Sequence, residues 1–270
     1  MEKTNYLIEA TEEITSIFDK IEVKYWLMYG ALLGMVREGK LISWDHDIDL
    51  GIWEEDLEKI AQNIEKFHNK GFSVHFTESG HVSFNRKPIY ISVMFYRKNK
   101  ETAYRSSFTI LEREIALKKG FYQHSLIELT RALKYLRWIF TAPKYIGDPP
   151  KHIPMQIQKG LLSLSKKLHP YIRKKIRKFI ENIMKIGCVY YMERLPVEFF
   201  NNLKEIQFYN IYINAPVESR KYLEWEFGDG WETPDPNYTP RKGCKAWIKL
   251  KHRDKIEREG VALNDSITQI

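Results

Sequence analysis

Apolar and polar residues alternate along this chain with a period that changes several times, and each change marks a candidate element. Residues 5–20 place Leu7, Ile8, Ile14, Ile17 and Phe18 at helical spacing, which predicts an amphipathic helix. The aromatic run KYWLMYG (24–30) predicts a strand broken at Gly30, and ALLGMVREGK (31–40) a short helix ending near Gly39. LISWDHDIDLGIW (41–53) predicts a second strand, and EEDLEKIAQNIEKFHNKG (54–71) a helix stopped by Gly71. Three strand-like runs follow, FSVHFTES, HVSFNRK and IYISVMFYRK, separated by the turns SG and RKP in the manner of an antiparallel meander. LIELTRALKYLRWIF (126–140) reads as a helix closed by the turn-forming APKYIGDPP. Residues 151–187 read as helix on either side of Pro170, and 189–232 return to mixed structure, with no internal repeat anywhere.

On a strand, successive side chains point to opposite faces. The run WDHDIDLGIW would therefore line up Asp45, Asp47 and Asp49 opposite Ile48, Leu50 and Ile52. Like charges side by side repel, so a cation is expected among them unless they mark a solvated edge strand. An EF-hand does not fit: counted from Asp45, the position that needs Gly holds Leu50, and the last position holds Asp56 instead of Glu. The preceding turn, Tyr29-Gly30-Ala31-Leu32, opens a helix and offers free backbone N–H groups to a phosphate. Two carboxylates on the next strand can hold Mg²⁺ against phosphate oxygens. Together these features suit phosphoryl transfer.

The stretch YGALLGMVREGKLISWDHDIDLGIW resembles the signature of the LicD/fukutin family of the nucleotidyltransferase superfamily, a Gly turn, LLG-x-VR and W-D-x-D-I-D. A second block, PVEFFNNLKEIQFYNIYINAPVESRKYLEWEFGDGWETPDP, is similar to the family's closing segment. The resemblance implies an α+β fold, a nucleotidyltransferase-like mixed β-sheet flanked by helices. It also implies metal-dependent transfer of a phospho-group, phosphocholine or a polyol phosphate such as ribitol or glycerol phosphate, from a CDP-linked donor to a glycan hydroxyl. Carried over, Asp47 and Asp49 become ligands of Mg²⁺ or Mn²⁺, and Tyr29, Gly30 and Ala31 the donor-phosphate turn. Arg37 becomes a charge clamp and Asp45 a supporting carboxylate, while Trp44 is expected in the core. Gly228, Asp229 and Trp231 are placed near the active site, with Arg241 and Lys242 presented to phosphate beside Pro240 unless TPRKG is a solvated loop.

One position departs from the family pattern. A third carboxylate is expected on a later strand, and in YISVMFY that place holds Ser92, whose hydroxyl is too weak an acid to act as a base near neutral pH. Glu78 could substitute, His46 or His81 could serve as base, or the chain could bind its ligand without turnover. A nucleotidyl transfer to a small molecule or RNA is the rival enzymatic reading.

Composition adds a division of the chain. With 43% hydrophobic residues it can build a sizeable core. The two cysteines, Cys188 and Cys244, match no zinc spacing. Neither a signal-peptide core nor a membrane span is visible, so a cytoplasmic chain, at most peripheral on the inner face of a membrane, is expected. Residues 151–187 hold ten Lys or Arg against one acid, Glu181, a charge of +9, which leaves −1 for the rest of a chain of net charge +8. The expected organisation is a core of 1–120 and 188–270 with a basic helical insertion at 121–187. In 166–187 the apolar residues Ile172, Ile176, Phe179, Ile180, Ile183 and Met184 form a stripe beside the cations, which suits an anionic membrane surface or an anionic glycan. Charge confined to one segment disfavours nucleic acid as a partner.

Overall fold

The longest strand, β5 (Ile89–Lys98), is the hub around which the chain folds. The structure is a computed structural model and describes residues 2–45, 47–77, 80–110, 132–133, 135–137, 139–140, 155–184, 188–235, 238 and 244–250. Helix α1 (Glu2–Lys20) leads into β1 (Tyr25–Met28), α2 (Tyr29–Glu38) and β2 (Ile48–Trp53). A 3₁₀ turn, α3 (Leu57–Gln62) and α4 (Ile64–His68) precede the meander β3 (Ser73–Phe76), β4 (His81–Arg86) and β5. Strand β6 (Thr102–Ile110) follows. Helices α5 (Met155–Lys167) and α6 (Pro170–Met184) then lead to β7 (Cys188–Pro196), the ribbon β8 (Leu203–Phe208) and β9 (Ile211–Pro216), α7 (Ser219–Phe227) and β10 (Trp247–Leu250).

Eight of these strands form one sheet, ordered β1-β2-β5-β6-β7-β10, with β4 and then β3 joined to β5. All the pairings are antiparallel except β2 with β5, which makes the sheet mixed. The α+β class expected from the sequence is therefore the one observed. Strand β7 lies along the whole of β6, from Thr102 opposite Pro196 to Ile110 opposite Cys188. The chain after residue 187 thus completes the sheet begun by the chain before residue 110.

Helix α1 closes one face: Ile14 and Phe18 are fully buried, and the Phe18 ring meets Phe67 and Phe84 edge-on at 6.0 and 5.9 Å. Trp26 anchors the other packing centre. It is fully buried, stacks on Phe200 at 4.5 Å, and lies directly over Gly51 of the neighbouring strand. Gly51 is therefore a close-approach glycine: a Cβ there would stand 2.2 Å from Trp26 Nε1.

Several sequence expectations are corrected. The strand expected over 41–53 begins only at Ile48, because nothing pairs with the residues before it. Strand β1 ends opposite Asp49 when the chain turns into α2, and the β5 ladder starts at Ile48 opposite Ile91. Residues 43–44 form a turn instead, closed by the Asp45 N–H donating to the Ile42 carbonyl at 2.9 Å. The helix expected over 54–71 breaks at Asn63, whose φ of −112° and ψ of 21° interrupt the α ladder. Strand β6 was not anticipated, since TAYRSSFTI shows no clear apolar alternation.

Gly51→Ala is expected to destabilise the protein by about 1–3 kcal/mol through overpacking against Trp26. Denaturant unfolding of the two proteins checks this, and an unchanged midpoint would show that the indole can move away.

Candidate active site

Asp49 leaves the sheet beside Ser92, its direct partner on β5, with Met28 on the other side. Paired residues on adjacent strands share a face, so this register fixes Ser92 next to the Asp49 carboxylate. The polar row continues, since Ser83 of β4 pairs with Ser92, and the two serines hold back the rise that burial imposes on the Tyr90 hydroxyl's pKa. Asp45 reaches the same place by another route. Its turn carries it against the start of α2, where a Cβ on Gly30 would stand 2.0 Å from Asp45 Oδ2. Glycine is the residue that leaves room for this carboxylate.

Asp49 senses the other two acids. Burial first, then the charges of Asp47 and Asp45, push the Asp49 carboxyl well above its ordinary range, with Arg105 opposing them. One edge of Asp49 still faces open space. Carboxylates gathered this closely form a set of hard oxygen donors suited to Mg²⁺ or Mn²⁺. Among the described residues no group of three or more His, Cys, Asp or Glu has its atoms already gathered at metal-binding positions. The donor set fits a magnesium-type ion that takes one or two carboxylates and completes its shell with phosphate and water.

A cleft of about 710 Å³ opens over Asp49. Tyr29, Gly30, Arg37, Trp44, Asp45 and Asp49 line it from the N-terminal part, and Phe227, Gly228, Asp229, Gly230, Trp231 and Tyr238 from the C-terminal part. This volume suits a small organic ligand. The Arg37 guanidinium is held at the rim, donating to Glu38 Oε1 at 2.6 and 3.0 Å and to the Trp231 carbonyl at 3.3 Å. Tyr29 opens α2 in the left-handed region, φ +49°, a conformation costly for a tyrosine. Its N–H points to the Tyr222 hydroxyl at 3.4 Å.

The cleft floor is a buried polar network. Arg105 and Glu193 pair across β6 and β7, Nε to Oε2, at 2.6 Å, with Glu193 fully buried. The hydroxyls of Tyr29 and Tyr96 donate to Glu193, the latter at 2.8 Å, and Arg105 Nη2 donates to the Tyr29 hydroxyl at 2.7 Å. Burial alone would lower the Arg105 pKa, but Tyr29, Glu193 and Tyr96 hold it well above the usual value. Beside them Glu226 accepts the Trp247 indole N–H at 2.8 Å, while its Oε2 is buried with no donor to bond. Burial and the Glu193 charge raise the Glu226 carboxyl well above its ordinary range. Protonated, it has a hydrogen to share with Glu193.

The structure therefore brings together Tyr29, Gly30, Arg37, Asp45, Asp49, Gly228, Asp229 and Trp231, all singled out in the sequence. Asp47 is half-buried outside the lining and acts on Asp49 through its charge. Ala31 and Ser92 are buried behind the lining. Trp44 is not in the core: it is 48% exposed and lines the cleft, because it sits in the turn before β2. His81 is bonded to Thr77 on β4, away from the lining. Arg241, Lys242, His46 and Glu78 lie outside the described residues. Sequence reasoning missed Arg105, Glu193 and Glu226. Charges inside the apolar or aromatic runs YRSS, YMERL and LEWEF were the available signal, but nothing in the sequence links the three.

Residues 22–131 match a family profile described as LicD/FKTN/FKRP, nucleotidyltransferase domain. Ribitol 5-phosphate transferase FKRP, from both Homo sapiens and Mus musculus, is 41% identical over 56 residues, covering 21% of this chain and 11% of the relative. Uncharacterized protein RP689 of Rickettsia prowazekii is 26% identical over 125 residues, covering 46% of this chain and 45% of that protein. The chain thus spans less than half the length of these relatives. The solved structure of the antibiotic-resistance factor ANT(2'')-Ia aligns with 68% of this chain and 95% of its own, at 12% identity and a TM-score of 0.30.

The raised Glu226 carboxyl sets a pH dependence. Its proton stabilises the fold fully below the unfolded value of 4.5, and this contribution is lost as pH rises through the higher folded value. Glu226→Gln, neutral at every pH, should match the wild type below that point and exceed it increasingly above. The gap should grow by up to about 1.4 kcal/mol per pH unit until the folded carboxyl ionises. Denaturant unfolding across the pH range measures the gap, and a constant gap would show that Glu226 is not held neutral.

Proposed function

We propose, from the match of residues 22–131 to the LicD/FKTN/FKRP nucleotidyltransferase domain, that the chain transfers a phospho-alcohol group from a CDP-linked donor to a glycan hydroxyl. The observation that carries this reading is the convergence of Asp45, Asp49 and the Gly30 turn on one cleft. The similarity to a ribitol 5-phosphate transferase supports a polyol phosphate as the group moved.

In this reading Asp47 and Asp49 hold Mg²⁺ or Mn²⁺, which when bound neutralises charge on the donor diphosphate. The first-turn N–H groups of α2, at Gly30 and Ala31, have no partners within the helix and bind the same phosphates. Arg37 adds its charge at the rim, held there by Glu38 and the Trp231 carbonyl. Trp44, Trp231 and Tyr238 offer apolar faces to the nucleoside and alcohol parts. Phosphoryl transfer through a loose transition state asks for position and charge neutralisation more than for covalent help. Ser92 then hydrogen-bonds beside Asp49 without acting as a base. That same serine favours a second reading, ligand binding without turnover, because no acid of β5 pairs with Asp49.

Calorimetric titration with CDP, CDP-choline, CDP-glycerol and CDP-ribitol, each with and without Mg²⁺, tests the proposal. One CDP-alcohol should bind in a Mg²⁺-dependent manner, and Asp49→Ala should weaken it by about tenfold or more. No binding to any of the four in Mg²⁺ would overturn the CDP-donor reading. Gly30→Ala should weaken the same ligand comparably, because the new methyl displaces Asp45. Retained affinity in Gly30→Ala would remove Asp45 from the site.

A further inference from the structure

Helix α6 has two apolar edges with different surroundings. Ile176 and Ile180 pack against Leu133, Leu136 and Phe140, and Ile180 is only 5% exposed. At 100° per residue, Ile172 and Phe179 fall on the adjoining edge, and they are 45% and 65% exposed. The polar flank of that edge is cationic. Lys174, Lys175 and Lys178 are all exposed, and Lys175 Nζ lies 4.7 Å above the ring of exposed Tyr171.

Helix α5 repeats the arrangement. It buries Leu162 and Ser165 on one side and leaves Ile157 and Leu164 more than half exposed on another, with Lys166 and Lys167 exposed at its end. A single exposed isoleucine is ordinary on any protein surface. Apolar residues gathered on one edge of two successive helices, within a segment of ten cations and one acid, are not.

We propose that α5 and α6 form a docking surface for an anionic lipid bilayer. Ile172 and Phe179 enter the boundary between headgroups and acyl chains, and the lysines meet the lipid phosphates. No helix among the described residues is long and apolar enough to cross a membrane, so the contact lies in the plane of the interface. Nucleic acid would match the lysines but leave Phe179 and Ile172 in water. An apolar protein partner would cover those two and leave the cations unmatched. The proposal stands independently of which phospho-group the cleft transfers.

The test is co-sedimentation of the full chain with vesicles of phosphatidylcholine, with and without phosphatidylglycerol. The protein should sediment with the anionic vesicles only, and less as NaCl is added. The pair Ile172→Ser with Phe179→Ser, and the triple Lys174→Gln, Lys175→Gln and Lys178→Gln, should each lose about tenfold or more in vesicle affinity. Because all five side chains are exposed, far-UV circular dichroism and thermal midpoint should not change, and Phe179→Ser alone should give an intermediate loss. Wild-type protein left in the supernatant with both vesicle types would overturn the proposal. So would full vesicle affinity in the serine pair, or lysine-dependent binding to single-stranded RNA that the serine pair retains, which would make the surface a nucleic-acid site.

Discussion

The structure depends on one buried ion pair, Arg105 with Glu193. These residues stand 88 positions apart in sequence and directly opposite each other on β6 and β7. Breaking such a pair by removing one partner typically costs about 3–5 kcal/mol, since the remaining charge is left buried and uncompensated. Here the pair does more than join two strands. The Tyr29 hydroxyl bonds to both partners, and so the pair fixes the first residue of α2. A left-handed tyrosine costs of order 1–3 kcal/mol, and these bonds supply the compensation. With Tyr29 held, Gly30 meets Asp45, and the mouth of α2 faces Asp49. A polar contact that bridges the two halves of the chain thereby sets the geometry of a site whose acids come from the first half.

The same network explains why the far end of the chain belongs to the cleft. Glu226 closes the floor with Trp247, and the turn that follows it carries Gly228, Asp229 and Trp231 to the rim. Trp231 in turn accepts a hydrogen bond from Arg37 through its carbonyl. The Gly228 turn is therefore tied to α2 at two levels, by the floor and by the rim.

Some of this was legible in the sequence, for physical reasons that differ by element. The β3–β5 meander could be read because its runs alternate and are bounded by turn residues. Helix α2 ends where Gly39 supplies a left-handed cap, φ +69°, as expected. The acids of WDHDIDLGIW do converge, but not by strand alternation alone. Asp45 arrives from a turn, since the strands that would extend β2 have already ended. The same turn exposes Trp44. The floor of the site was not legible: Arg105 lies in a strand without apolar alternation, and Glu193 gains meaning only through its distant partner. Ser92, singled out through the family resemblance, is placed by the register beside Asp49.

A cleft that gathers carboxylates, helix N–H groups and a clamped arginine above a polar floor has the donors that the proposed binding of phosphate and a divalent ion requires. In our second proposal, the cationic amphipathic helix α6 holds the chain against lipid. The most direct test of the central claim is a Mn²⁺ titration followed by electron paramagnetic resonance, with CDP present. The account predicts that the wild type and Ser92→Ala remove free Mn²⁺ signal, and that Asp47→Asn with Asp49→Asn abolishes this. Equal Mn²⁺ binding by that double variant would contradict it and place any cation site elsewhere.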